Sequence, residues 1–301
     1  MPKTLAAAAA LLLGTLAAHA APLAGLEEIY AVLDEPTARA VAASATLRRF
    51  GGLQAKTSSS SEGHYRGLYL FGRESFLELF APAELDLDHP DAAAAGGRFG
   101  VGLASDRVGD LDRLKAAAEA RGLRVEEATS RKTLGGHEVD WFRSLEPAAI
   151  AKDGQPAPPG FEAYAVEYLP GFFDVPEAGK PPALGPGDQV SRARYHRPDY
   201  DAARPMRNLA GATLAVARED WQRLRPLFEA AGWRVEEHAA GARAAGDATL
   251  DFVFVPRAHA GVRRIVFALN RAPGRRRAER LGHSRLVIGP GATAGWSFDP
   301  R

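Results

Sequence analysis

Two neighbouring hydrophobic runs, Tyr65–Phe71 and Ser75–Phe80, predict two β-strands joined by a tight turn. Apolar side chains occupy both alternating faces of the first run, and a strand of that kind is covered on both sides. In the second run Glu78 shares a face with Phe76 and Phe80, because side chains alternate with period two along a strand. A carboxylate between two phenyl rings is costly unless it is protonated, paired or bound to a metal. The pattern therefore predicts a pocket around Glu78.

The alternation in Leu26–Asp34 predicts an earlier strand, with Glu28 and Tyr30 on one of its faces. Asp34 is a favourable helix N-cap, and a helical pattern follows it. After that helix a short segment, Leu53–Thr57, is interpreted as a second strand. Together with the two runs described above, these segments give the order β-α-β-β-β.

The same order of elements recurs twice further along the chain. The second set is the strand Phe99–Ala104, the helix Asp110–Ala120, and the strands Arg124–Arg131, His137–Leu145 and Phe161–Leu169. The third set is the strand Leu209–Val216, the helix Asp220–Ala230, and the strands Arg234–Ala239, Thr249–Val255 and Arg263–Leu269. Residues Gly122–Glu127 (GLRVEE) align with Gly232–Glu237 (GWRVEE), and the same offset aligns Asp110 with Asp220. These matches indicate a repeated unit.

The composition divides the chain into four segments. Residues 1–20 have the pattern of a secretory signal, with Lys3 before an apolar run and Ala18-His19-Ala20 as the cleavage site. The other segments are residues 21–170 with two units (26–81 and 97–170), a Pro- and Gly-rich linker at 171–206, and a third unit with a C-terminal tail at 207–301. We therefore expect a periplasmic or secreted protein.

The charges nearly cancel, with 38 basic and 37 acidic residues, so no broad electrostatic field favours nucleic acid. The basic cluster Arg271–Arg280 is interpreted as a solvated loop or helix end. The absence of cysteine excludes disulfides and thiolate chemistry. The N-terminal apolar run is short and alanine-rich, so no stable membrane insertion is expected after signal cleavage. The expected partner is a small-molecule ligand, bound by a monomer or a homodimer.

The repeated order and the strand motifs LEEIYAVLD, SFLELF and YAVEYL resemble the vicinal oxygen chelate superfamily, which contains glyoxalase I, the bleomycin-resistance proteins and the extradiol dioxygenases. The resemblance covers residues 26–170 and, more weakly, 207–270, and it suggests an uncharacterised exported branch. It implies an α+β fold of repeated βαβββ units, two of them paired around a cleft, followed by a third unit and short C-terminal strands. Metal-binding members take ligands from the first and last strands of each unit.

Those ligand positions fall on Glu28, Glu78 and Glu167, with Glu28 in place of the usual histidine. Oxygen donors suit Mg, Mn or Ca better than zinc or copper. The alternative is that these carboxylates form structural ion pairs or face solvent. Further cleft candidates, each of which also fits a structural role, are His64, His137, Tyr30, Phe76 and Trp141. His196 and His259 are interpreted as solvated loop residues.

Three functions are compatible with these patterns, and no catalytic residue is assigned. The first is an exported small-molecule-binding protein without chemistry, which the missing histidine favours. The second is a metal-dependent lyase, isomerase or dioxygenase-like enzyme that uses the three glutamates. The third is a structural module that pairs through its third unit. The apolar faces of that unit need cover, and we expect the C-terminal tail or the first domain to provide it.

Overall fold

The structure is a computed structural model that describes residues 21–88, 98–148, 151–152, 155–156 and 160–300. The predicted signal, residues 1–20, lies outside the described residues. The first unit consists of β1 (Gly25–Val32), α1 (Glu35–Ala43), α2 (Ala45–Gly51), β2 (Gln54–Ser60), β3 (Gly63–Phe71) and β4 (Phe76–Phe80). The predicted single helix is two, because Ser44 ends α1 and its side chain accepts a hydrogen bond from the Leu47 N–H at the start of α2.

The second unit and the segment after it follow in chain order. The unit consists of β5 (Phe99–Ala104), α3 (Asp110–Glu119), β6 (Val125–Leu134), β7 (His137–Pro147), the two short strands β8 (Ala151–Lys152) and β9 (Gln155–Pro156), and β10 (Phe161–Tyr168). The connecting segment, residues 169–205, contains the short helices α4 (Pro170–Phe173) and α5 (Arg192–His196) and the 3₁₀ turns Pro176–Ala178 and Pro186–Asp188.

These two units form one eight-stranded sheet in the order β2-β3-β4-β1-β5-β10-β7-β6. Within each unit the first and last strands are parallel, and the units join where β1 runs antiparallel to β5. Ile29, Ala31 and Leu33 lie in the main core, as the alternation along the first strand predicts. The predicted fold class, α+β with two βαβββ units paired around a cleft, is confirmed.

A second eight-stranded sheet has the order β12-β13-β14-β11-β15-β18-β17-β16. Its elements are β11 (Met206–Val216), α6 (Arg218–Ala230), β12 (Arg234–His238), β13 (Gly241–Ala245), β14 (Thr249–Phe254), the 3₁₀ turn Arg257–His259, β15 (Gly261–Leu269), β16 (Arg277–Leu281), β17 (Ser284–Ile288) and β18 (Thr293–Phe298). The prediction that Arg263–Leu269 closes the third unit is wrong, because β14 is the strand that runs parallel to β11. The sequence GARAA of β13 is nearly all small residues, so its alternation is too weak to predict a strand.

The strands β15 to β18 are a fourth unit that has lost its helix. Only residues 270–276 connect β15 to β16, where each earlier unit has at least one helix. Without that helix the chain reverses direction one time fewer, so β18 runs antiparallel to β15. The tail strands therefore complete the sheet of the third unit. The sequence predicts cover from within the chain, because the apolar faces of that unit need it.

The helix-bearing faces of the two sheets are turned towards each other. Helix α1 contacts β16, α2 contacts β11, and α3 packs against α6. Between the sheets Phe50 meets Phe267 at 5.3 Å between ring centroids, and Phe161 meets Phe252 at 5.7 Å. One continuous core runs through both sheets, which favours their folding as a single unit. None of the helices in the described ranges is long and apolar enough to cross a membrane.

Arg192 in the connecting segment joins the two sheets. Its guanidinium donates to the Leu26 carbonyl at 2.8 Å, to Asp247 at 2.7 Å and to Asp106 at 2.8 Å. The residue as a whole is only 5% exposed. A fully paired buried guanidinium of this kind fixes the connecting segment against both sheets, and the segment is therefore part of the folded body.

Candidate functional site

The concave face of the first sheet encloses a cavity of about 1450 Å³. The sheet curls until its edge strands meet, where the Ser61 N–H donates to the Arg131 carbonyl at 3.0 Å and the Arg131 N–H donates to the Ser61 Oγ at 2.9 Å. The connecting segment covers part of the cavity, with the Tyr195 ring stacked on Tyr168 at 3.8 Å. An eight-stranded curled sheet has room inside for one small ligand.

Glu28 and Glu78 meet at the centre of this cleft. Their exposed fractions are 9% and 5%, and the two carboxyl groups lie close enough for the charge of Glu28 to act on Glu78. The Tyr164 hydroxyl donates to Glu28 Oε2 at 2.5 Å, and the Tyr69 hydroxyl donates to Glu78. Burial raises the pKa of Glu28, and burial together with the neighbouring Glu28 charge raises the pKa of Glu78 well above its ordinary value. The pair is therefore best described as two carboxyls that share a proton.

Two glycines on β5 make room for the tyrosines that cross the cleft. A Cβ on Gly100 would come within 2.3 Å of the Tyr30 ring, and one on Gly102 would come within 3.0 Å of the Tyr164 ring. The Tyr30 hydroxyl reaches across to Glu162 in the second unit, while Tyr164 reaches back to the first. The alternating glycines in FGVGLA are thus needed for this crossed pair of rings.

A β-bulge in β1 turns both Glu27 and Glu28 towards the cleft. The pairing of β1 with β5 shifts between Leu26 and Glu28, and Glu27 is the extra residue. Glu27 Oε1 accepts from the Tyr168 hydroxyl at 2.6 Å and lies 2.9 Å from His196 Nε2. The interpretation of His196 as a solvated loop residue is wrong. Its side chain is fully buried, because α5 inserts it beside Glu27 and the Phe76 ring.

Two lysines bring amines with lowered pKa values to the cleft. Lys132 Nζ lies 3.5 Å from the centre of the Trp141 ring, and burial, helped by the charge of Lys56, lowers its pKa to about 8. Lys180, from the connecting segment, lies 3.7 Å over the Tyr195 ring, and burial lowers its pKa to about 8 as well. A half-buried ammonium is less stable than a solvated one, so both amines lose their protons near pH 8 rather than above pH 10.

The structure separates Glu167 from the other predicted carboxylates. Its two carboxylate oxygens accept hydrogen bonds from the Gly109 and Leu111 N–H groups, each at 3.0 Å. These groups belong to the start of α3 on the opposite face of the sheet. The expectation that Glu167 shares a cleft with Glu78 is therefore wrong, because on β10 it is Tyr164, Val166 and Tyr168 that line the cavity.

Of the other predicted cleft residues, four lie at the cavity and one does not. Tyr30, Phe76 and Trp141 line the cavity, and His64 lies at its edge, half-exposed and 3.8 Å from Asp88. His137 does not line it, because it is an exposed residue at the turn between β6 and β7. Sequence reasoning missed Lys132 and the tyrosine partners of the carboxyls. The alternation of Tyr164, Val166 and Tyr168 along β10 could have predicted that these three residues share one face of the strand and line the cavity.

The donor set does not fit the divalent ion that the family resemblance suggests. No group of three or more His, Cys, Asp or Glu side chains is arranged to hold a metal among the described residues. Glu28 accepts a hydrogen bond from Tyr164 and Glu78 accepts one from Tyr69, and burial raises the pKa of both carboxyls. A hard cation needs several unprotonated oxygen ligands, whereas this pair favours keeping a proton.

The comparisons with known proteins place the chain in a family. Residues 26–298 match a family described as a family of unknown function, DUF5829. The chain belongs to that family. A search of curated protein sequences finds no significant match.

Solved structures resemble the chain in outline. A hypothetical protein from Staphylococcus aureus matches with 9% identity and a TM-score of 0.46, over 76% of this chain and 86% of that chain. The 2,3-dioxygenase LapB from Pseudomonas sp. KL28 matches with 12% identity and a TM-score of 0.41, over 93% of each chain. The Mn(II)-bound glyoxalase from Novosphingobium aromaticivorans matches with 10% identity and a TM-score of 0.41, over 91% of this chain and 81% of that chain.

Proposed function

We propose that this protein is exported and binds a small organic ligand in the cleft of the first sheet. The observation that carries the proposal is the buried Glu28–Glu78 pair. Two carboxyls in contact cost folding free energy, and apolar side chains would fill the same space at lower cost. Perturbed carboxyls in a concave pocket are typical of functional sites. The export part of the proposal rests on the signal-like pattern of residues 1–20.

The chemistry of the cleft favours an uncharged ligand that carries hydroxyl groups and one flat or apolar face. The carboxyl pair holds one proton, so it offers both a donor and acceptors to a hydroxyl. The Lys132 amine adds a donor, and the Trp141 ring beside it offers an apolar surface. Neutral sugars and phenols have this combination of groups.

Calorimetric titration with a panel of neutral sugars and phenols tests the proposal. We expect at least one probe to bind the mature protein, and the variant Trp141→Ala to weaken its affinity about tenfold through loss of the ring contact. Asp140→Asn is the matched control, since Asp140 precedes Trp141 on β7 but points outward to Arg131. Binding that survives Trp141→Ala, or a panel without any binder, would contradict the proposal.

Metal-independent acid–base catalysis is a second candidate, favoured by the Lys132 pKa of about 8 near the charge of Glu78. A group whose pKa lies near the working pH exchanges protons efficiently, and a raised carboxyl beside it supplies an acid. After incubation of a bound probe with the protein in D₂O, mass spectrometry would detect deuterium on carbon. We expect Glu78→Gln to abolish that incorporation. If the ligand recovered from the wild type carries no deuterium, the catalytic candidate is contradicted and only the binding function remains.

The metal-dependent alternative is tested by the same proteins. Thermal melts of the wild type and of Glu78→Gln with and without Mg, Mn or Ca should show no metal-dependent gain, because within the described ranges no third carboxylate or histidine is arranged to hold a metal with the pair. A gain confined to the wild type would restore that alternative, by the linkage between ligand binding and stability.

A further inference from the structure

A second cavity, separate from the cleft, lies where the fourth unit lacks its helix. It encloses about 700 Å³ between α2, the loop of residues 270–276 and the hairpin of β16 and β17. In the earlier units a helix covers this face of the sheet. Here α1 and α2 of the first unit lie against it, and they leave the space above β17 open.

The floor of this second pocket is apolar. Phe50 and Leu286 are each 1% exposed and Ile288 is 9% exposed, and all three line it. Pro205 and Pro273 add apolar walls. An apolar, concave surface of this size is large enough for a medium-chain organic molecule.

The rim of the second pocket is strongly basic. Arg49, Arg271, Arg275 and Arg277 line it, and all are exposed. None of the four forms an ion pair with another described residue, whereas Arg280 on the same strand pairs with Asp299 at 2.6 Å. One acid, Glu279, lines the pocket, and its Oε1 accepts from the Ser44 hydroxyl at 3.2 Å. Four guanidinium groups against one carboxylate leave the rim with excess positive charge.

We infer that this pocket binds an amphiphilic organic anion, with its carboxylate or phosphate at the arginines and its apolar body against Phe50 and Leu286. Guanidinium groups recognise carboxylate and phosphate oxygens in paired hydrogen bonds. The apolar body of the ligand supplies the rest of the binding free energy, because it leaves water when it enters the pocket. A free single-chain anion and the headgroup of an anionic lipid share this chemistry.

Calorimetric titration of the mature protein with dodecanoate tests the inference. Dodecanoate should bind, while dodecanol, which lacks the charge, and acetate, which lacks the chain, should each bind at least tenfold more weakly. Arg277→Gln should weaken dodecanoate binding about tenfold, and the pair Arg275→Gln with Arg277→Gln more than that. Arg276→Gln is the matched control, because Arg276 is exposed in the same run but does not line the pocket.

Three results would overturn the inference: no binding of either dodecanoate or anionic vesicles, equal binding of dodecanol, or equal weakening by Arg276→Gln and Arg277→Gln. Ala278→Phe provides an independent variant, since it fills the pocket from an exposed strand position and should block dodecanoate without loss of fold. Co-sedimentation with phosphatidylglycerol vesicles distinguishes the source of the anion. Vesicle binding that Arg277→Gln removes, together with no binding of free dodecanoate, would assign the pocket to a membrane lipid and overturn the free-anion form.

Discussion

Glu78 lies against a second carboxyl and a tyrosine hydroxyl in a place that water reaches poorly. Its raised pKa follows from burial first and from the Glu28 charge second. Tyr69 donates to the same carboxyl and lowers the cost only partly. The residue is therefore a destabilising element that the rest of the sheet holds in place.

Glu78→Gln should stabilise the protein, and by more as the pH rises. The pKa of Glu78 in the folded state lies above the ordinary value of 4.5. The stability that the protonated carboxyl contributes is therefore fully present below pH 4.5, and it is lost as the pH rises through the folded pKa and the buried group ionises. Glutamine does not titrate, so its stabilising effect relative to glutamate should be larger at pH 8 than at pH 4.5. Urea unfolding at pH 4.5 and pH 8 measures it. Glu138→Gln, on the outer turn, is the control, and a variant less stable than wild type at both pH values would refute the shared-proton description.

Lys132 should react as an amine with a pKa of about 8. Reductive methylation followed by mass spectrometry across pH 6–11 gives the midpoint for each lysine. Lys115 is the comparison, because it is exposed and its contact with Glu127 raises its pKa above 10.5. Identical midpoints for the two lysines would show that Lys132 is fully solvated.

The sequence could locate Glu78 but not the face on which Glu167 lies. In SFLELF two phenyl rings flank the carboxylate and mark a covered face. In YAVEYL apolar side chains occur on both faces, so alternation alone does not tell which face meets the helix and which meets the cleft. The tyrosine partners of the carboxyls come from other strands, and single-sequence patterns carry no information on such pairs.

At the scale of elements, helix α3 obtains its N-terminal cap from a neighbouring strand. Its N-cap residue is Gly109, which has no side chain to accept the free N–H groups. Glu167 on β10 supplies both acceptors, and its negative charge also suits the positive end of the helix. The carboxylate that resembles a metal ligand in sequence is thus a helix cap.

Glu167→Ala should cost about 1–2 kcal/mol of stability, as for other lost N-caps. Chemical denaturation measures the loss, and added Mg, Mn or Ca should not change it. Glu119→Ala at the exposed C-terminal end of the same helix is the control and should be close to neutral. Stability unchanged by Glu167→Ala would argue against the capping role.

Irregular elements explain most errors of the element predictions. The bulge at Glu27 breaks the period-two rule at one residue, so both glutamates reach the cleft. The fourth unit escaped prediction because its helix is missing, and its first strand was therefore assigned to the third unit. The repeated GxRVEE motif correctly located the connection from helix to strand in the second and third units, because both units are regular there.

At the scale of the whole molecule, each sheet depends on the other for its cover. Helices α1 and α2 of the first unit lie against the second sheet, α3 packs against α6, and α6 contacts β10. Arg192 adds a buried polar connection between them. The two halves are therefore not independent domains in the energetic sense, although the sequence predicts a linker between them.

A fragment of residues 21–205 should fail to fold cooperatively, because it would expose Phe50 and Phe161, which pack against the second sheet. Thermal melts followed by circular dichroism, with size-exclusion chromatography, would show this against the chain of residues 21–301. That longer chain should melt in one transition at a temperature independent of protein concentration, since its cover comes from within the chain. A fragment that melts cooperatively, or a concentration-dependent transition of the full chain, would contradict this.

The glycines of β5 restrict how this cleft can change during evolution. A side chain at position 100 or 102 collides with the ring of Tyr30 or Tyr164, and the loss of either ring leaves Glu162 or Glu28 without its hydroxyl partner. Replacing a glycine alone or its facing tyrosine alone is therefore unfavourable. The glycine and the tyrosine can change during evolution only if both are replaced together. Among related sequences the glycine and its facing tyrosine should covary, and such covariation would mark the members that share this cleft.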